Sequence, residues 1–71
     1  MNRINPDKLL NSKWTAVQPV NRQRHFIITN VIKSDDGLVT GCEIEAVLTH
    51  KVSEIDWREL KDSDRWVMGW K

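Results

Sequence analysis

The amino-acid sequence predicts a mainly β domain, an antiparallel meander of about four strands with short helical turns at its N- and C-terminal ends. Three observations carry that expectation. Residues 25–33 contain Phe26, Ile27, Ile28, Val31 and Ile32, a run whose β-branched composition and length suit a strand buried on both faces and central in its sheet. Ser34-Asp35-Asp36-Gly37 follows at once as a hairpin signal, Gly37 supplying the positive φ that a sharp turn requires. Beyond it, residues 38–49 alternate: Leu38, Cys42, Ile44, Ala46 and Leu48 on one face, Glu43, Glu45 and Thr49 on the other. That is the pattern of a half-buried antiparallel strand.

The remaining elements follow in chain order. Residues 1–4 are expected to fray. Asn5-Pro6-Asp7-Lys8-Leu9-Leu10 reads as one helical turn, with Asn5 as cap, Pro6 at the first helical position and Asp7 at the positive end of the dipole. Leu9 and Leu10 are expected to close one end of the core. Residues 13–17 form a short strand with Trp14 and Ala16 on one face and Thr15 and Val17 on the other. Residues 18–24 form a polar connection containing Pro19, Arg22 and Arg24, the loop best suited to binding.

A three-residue loop at 35–37 sets Cys42, Ile44 and Ala46 opposite Asn30, Ile28 and Phe26. A two-residue loop would pair Ala46 with Ile27. The first register is preferred because it unites the apolar sets, and a one-residue slip exchanges the faces. Gly41 inside the strand marks a bulge or strong bend. A turn near His50 and Lys51 leads into a further strand, 52–57, in which Thr49 meets Val52, Ala46 meets Ile55, Ile44 meets Trp57 and Glu45 meets Asp56. Asp56-Trp57-Arg58-Glu59 then resembles a capping box, and a second capped turn places Trp66 and Trp70 four apart on one helical face, with Gly69 able to end it. The architecture is therefore a curled sheet or a small open SH3-like barrel.

A chain of 71 residues implies one domain, residues 1–71, with little core to spare. Its four tryptophans could bury roughly 600 to 1,000 Å² together, so most of their surface is expected in the core. Net charge is +1, which excludes the simplest strongly basic nucleic-acid binder. The charges are nonetheless segregated. Residues 1–33 carry six basic residues against Asp7, while residues 34–71 carry five basic and nine acidic ones. Two solvated faces attracting one another across the fold would account for this; an anion-facing basic patch is the other reading. Cys42 is the one cysteine, and no apolar run is long enough for a signal peptide or a membrane span, so a reducing cytoplasm is expected.

Several segments resemble a known family: Asn5-Pro6, Lys8-Leu9-Leu10, Ser12-Lys13-Trp14-Thr15-Ala16, His25-Phe26, Glu45-Ala46-Val47-Leu48-Thr49, the run from Asp56-Trp57-Arg58-Glu59 to Leu60-Lys61-Asp62, Trp66 and Gly69-Trp70. On these the chain resembles the small tryptophan-rich bacterial proteins of uncharacterised function. The resemblance spans nearly the whole chain and implies a single-domain cytoplasmic bacterial protein, with no activity or catalytic residue attached.

Catalytic chemistry finds no foothold. His25, His50 and Cys42 lack the paired spacing of a zinc site, Cys42 has apolar neighbours on its own face, and three dispersed glycines make no phosphate-cradling loop. No enzyme, metal or cofactor is expected. The expectation is a non-enzymatic binding domain for single-stranded nucleic acid or another anionic partner, through Lys13, Trp14, Arg22, Arg24, His25 and Phe26, since bases stack on aromatic rings beside basic grooves. The alternative is a protein–protein interaction module or small homo-oligomer anchored by Trp66, Met68 and above all Trp70.

Overall fold

A computed structural model describes residues 2–71. Five antiparallel strands make one sheet, β1 (Lys13–Val20), β2 (Gln23–Lys33), β3 (Val39–Ala46), β4 (Val52–Ile55) and β5 (Trp66–Met68), in the order β4-β3-β2-β1-β5. The sheet does not close: β4 and β5 are its two edges. Among the described residues helical structure is confined to two 3-10 turns, Pro6–Lys8 and Trp57–Lys61. The mainly β meander stands, with β2 near its centre and one strand more than expected.

The first turn forms for the reasons its sequence contains. Asn5 is extended and its side chain accepts from the Asp7 amide at 3.0 Å, while Pro6 occupies the position that needs no donor. The chain then docks on β2, the Asn11 amide donating to Ile28 O at 2.8 Å and the Ile28 amide to Ser12 O at 3.0 Å. This drives Leu9 into the core and leaves Leu10 largely exposed, so only one of the two leucines closes the core.

β1 corrects the expected loop at 18–24. The strand continues through Pro19 to Val20, and the connection is the two-residue turn Asn21-Arg22, both residues at positive φ (54° and 65°). Such turns match the twist of flanking strands and usually carry glycine, a signal Arg22 does not give. Pro19 is tolerated because regular pairing lapses between Thr15 and Val20, where no ladder donor is required of it.

The β2–β3 hairpin keeps the expected register where Phe26 meets Ala46 and Ile28 meets Ile44. After an irregularity at Thr29 the pairing shifts, and Val31 rather than Asn30 faces Cys42. A second irregularity lies between the Ile32–Gly41 and Lys33–Val39 pairs, beside Gly41. A Cβ on Gly41 would come within 3.1 Å of Ile55 O, so the close backbone approach of β4 also favours glycine there. The apolar alternation overruns the strand at both ends: Leu38 is exposed in the turn closed by the Ser34 amide on Leu38 O at 2.9 Å, and Leu48 in the turn closed by the His50 amide on Ala46 O at 2.7 Å.

β4 pairs four residues away from the expected register. Cys42 meets Ile55, Glu43 meets Glu54, Ile44 meets Ser53 and Glu45 meets Val52. Because the displacement is even, Ile55 keeps its place on the core face, where it packs against the buried cluster. Asp56 caps the second turn through the Arg58 amide at 3.0 Å, and Trp57 reaches the core from that turn, its indole donating to Val39 O at 3.0 Å.

The largest correction lies at 66–70. No second helical turn carries Trp66 and Trp70 on one face; residues 66–68 form β5 against β1, pairing Ala16 with Trp66, Thr15 with Val67 and Trp14 with Met68. The core lies on the inner sheet face, built from Leu9, Trp14, Ile28, Cys42, Ile44 and Leu60. Phe26 and Trp66 meet edge to face beside it, with ring centroids 5.1 Å apart.

Candidate functional site: a tryptophan-centred basic cluster

Alternation along β1 and β2 divides the residues singled out for binding. Trp14 and Phe26 face one another across the strands on the inner side, and Lys13, Thr15, His25 and Ile27 take the outer side. Trp14 is 1% exposed, its indole donating to Ser12 Oγ at 2.9 Å, so it is a core residue and not a stacking surface. Phe26 is half-buried against Trp66.

On the outer side the C-terminal tail folds back across β1. Gly69, at φ 85°, allows the reversal, and its amide donates to Lys13 O at 2.7 Å. The Thr15 hydroxyl donates to Gly69 O at 2.6 Å and accepts from the Lys71 amide at 2.9 Å. A polar residue on an outward strand face thereby becomes 3% exposed and fully used. The tail delivers Trp70 onto the sheet, where its indole N–H donates to Phe26 O at 2.9 Å. His25 stacks on the Trp70 ring with centroids 5.8 Å apart, and Lys13 Nζ lies 4.9 Å from the ring centroid. The His25 ring also bonds Lys71 O, Nε2 at 3.0 Å.

Of the sequence-derived site residues, Lys13 and His25 from the basic surface and Trp70 from the alternative one therefore converge, and Thr15 and Lys71 join them. Alternation alone placed Lys13 and Thr15 on one face; what the sequence lacked was the tail's path. Trp70 stays 43% exposed. Arg22 and Arg24 are exposed along the adjoining β1–β2 hairpin. The ion pairs are Arg58–Asp56, Arg65–Glu59 and His50–Glu45, so among the described residues Lys13, Arg22, Arg24 and Lys71 have no carboxylate partner. Among the described residues the two charged halves do not neutralise each other through ion pairs. The basic half keeps its charge at the surface.

Where β1 parts from β2, a groove of about 500 Å³ opens at the other side of the hairpin, lined by Ala16, Gln18, Val20, Phe26 and Trp66 among others. Cys42, on β3 opposite Ile55, is buried in the core, and burial, with Asp56 and Glu59 adding repulsion, pushes its thiol pKa up to about 11. His50 contacts Glu45 at 3.1 Å, so the three soft metal-ligand candidates of the sequence each engage different surroundings.

Fold and site define a class: a small, open antiparallel β domain whose outer face bears a tail-anchored tryptophan among unpaired basic side chains. Over residues 12–71 the chain matches the model of the family described as Tryptophan-rich protein (DUF2389), an uncharacterised family, and it belongs to that family. The comparison with curated proteins finds no match, and the comparison with solved structures finds none. No helix among the described residues is long and apolar enough to cross a membrane.

Proposed function

We propose that this is a non-enzymatic binding domain that takes single-stranded nucleic acid on the outer face of β5, β1 and β2. The observation that carries the reading is the 43% exposed Trp70 ring in contact with Lys13 and His25, with Lys71 on the same tail. An exposed ring accepts a base by stacking, worth about 1 to 3 kcal/mol, and unpaired cations beside it accept the phosphates. Neither contact reads sequence, so the expected binding is tolerant of base identity. A reducing, cytoplasmic setting is supported by the lone buried Cys42, and a bacterial one by the resemblance of the tryptophan motifs.

Fluorescence anisotropy with a labelled ten-nucleotide single strand of mixed sequence tests the proposal. The expected result is binding that weakens steeply with salt, with Trp70→Ala losing roughly 5- to 150-fold in affinity and Lys13→Gln reducing the salt slope. Thermal melts of both variants separate lost contacts from lost folding. Affinity weaker than about millimolar at low salt, or binding indifferent to both substitutions, overturns the proposal.

A further inference from the structure

The two edges of the sheet are treated differently by the chain. On β5 the outward main-chain groups of Trp66, though not those of Met68, are both occupied: the Trp66 carbonyl accepts from Asn2 Nδ2 at 2.7 Å, and its amide donates to Asp62 O at 2.9 Å. Asn2 also binds Leu60 O at 2.8 Å and donates its own amide to Lys61 O, so the N-terminal segment is laced along that edge. β4 has no such cover among the described residues.

The ladder shows which of its groups stand free. The Ala46 amide donates to Lys51 O at 2.9 Å, which makes Ala46–Lys51 a hydrogen-bonded position. Antiparallel pairs alternate between bonded and non-bonded, so Ile44–Ser53 and Cys42–Ile55 are bonded pairs too. Val52 and Glu54 occupy the non-bonded positions, and their N–H and C=O groups point away from β3, out of the sheet. Two donors and two acceptors are presented at the spacing of a strand.

The charge around this edge selects the partner. Glu43 and Glu54 are directly opposite at a non-bonded position, where side chains approach most closely and like charges disfavour the pairing. Glu45 stands on the same outer face one pair along, and its neighbour opposite is Val52, which is largely exposed together with Leu48. Neither Glu43 nor Glu54 has a cationic partner among the described residues.

We propose that β4 is a docking edge for an extended basic segment of a partner protein, which adds to the sheet as a sixth strand. Its main chain bonds Val52 and Glu54, a Lys or Arg opposite Glu54 relieves the Glu43–Glu54 repulsion, and an aliphatic side chain covers Val52. The surface is remote in charge from the basic Trp70 face and does not rest on the nucleic-acid reading.

The test uses the full chain, labelled with nitrogen-15, titrated with an octapeptide of alternating lysine and valine and separately with one of alternating glutamate and valine. The expected result is binding of the lysine peptide alone, weakening with salt, with slowed hydrogen exchange at the Val52 and Glu54 amides and about tenfold weaker binding to Glu54→Lys. Glu43→Gln, a milder change that also removes the Glu43–Glu54 repulsion, is expected to weaken binding without lowering the melting temperature. Equal binding of both peptides, shifts that leave those two amides unprotected, or protection of the same amides by self-association of the chain alone each overturn the proposal.

Discussion

The thiol of Cys42 has no exposed surface, and its pKa of about 11 lies above the ordinary thiol value because the thiolate would be desolvated and would face Asp56 and Glu59. A raised folded-state value means that the unfolded chain releases the proton first as pH rises. The stabilisation tied to the neutral thiol is therefore complete below about pH 8.5 and is lost progressively toward pH 11. In urea melts, the stability difference between the parent chain and Cys42→Ala should narrow across that window; a constant difference would refute the assignment. The tryptophans make the same point about position. Trp14 is buried and Trp70 exposed, although both sit beside basic residues in sequence. The sequence pattern groups Trp14 with Lys13 as a binding surface, whereas alternation along β1 turns Trp14 inward, away from Lys13, into the core. Exposure of Trp70 followed from its place near the chain end, but its contact with Lys13 and His25 did not, because it depends on a tail reversal at Gly69.

Among the elements, the β1–β2 turn is where local preference and tertiary structure disagree most. Arg22 at φ 65° occupies a conformation that costs an L-residue roughly 1 to 2 kcal/mol, and the strands flanking it recover that cost. Arg22→Gly should therefore raise the urea midpoint, by up to about 1 kcal/mol in stability, since the added freedom of the unfolded chain offsets part of the relief. A fall in midpoint would show that Arg22 makes contacts beyond the turn. β5 failed to announce itself for a different reason. Three residues are too short for any period to register, and Trp66 and Trp70 at a spacing of four imitate a helical face. The free edge of β1 decided the matter by offering backbone partners to residues 66–68. β4 shows a third case: an apolar pattern sets which face a residue takes, through parity, yet leaves the register free to move by even steps.

For the molecule as a whole, the core is small enough that a single contact can decide whether it folds. Leu60 reaches it from the second 3-10 turn with no exposed surface, joining the residues after β4 to Leu9 and Trp14 at the other end of the chain. Leu60→Ala should cost about 2 to 5 kcal/mol, comparable with the roughly 3 to 5 kcal/mol that a core of this size supplies. Near-ultraviolet circular dichroism of the variant is expected to show lost tryptophan packing at 25 °C; a native spectrum with an unchanged melting temperature would contradict this. The ends of the chain contribute at the same scale, Asn2 lacing the β5 edge and Lys71 tied to Thr15, so the sheet is finished by residues that no local pattern marks. On the outer face the basic cluster around Trp70 lies toward the β5 edge and the glutamates of β3 and β4 toward the other edge, which is how a chain of net charge +1 carries charge of opposite sign at the two ends of one short sheet.

The sequence by itself determined the β class, the Phe26–Ala46 and Ile28–Ile44 register, the Asn5 and Asp56 caps and the buried default of Cys42, because each rests on a period, a turn residue or a capping side chain within a few positions. Only the tertiary structure decided the fifth strand, the shift of β4, and the meeting of Lys13, Thr15, His25, Trp70 and Lys71. Those depend on which backbone edge remains unpaired once the hairpins have formed, a long-range quantity with no local signature. The site around Trp70 belongs to this second group: its residue types were visible from the start, but the geometry that joins them comes from the tail that leaves β5 and reverses at Gly69 across β1.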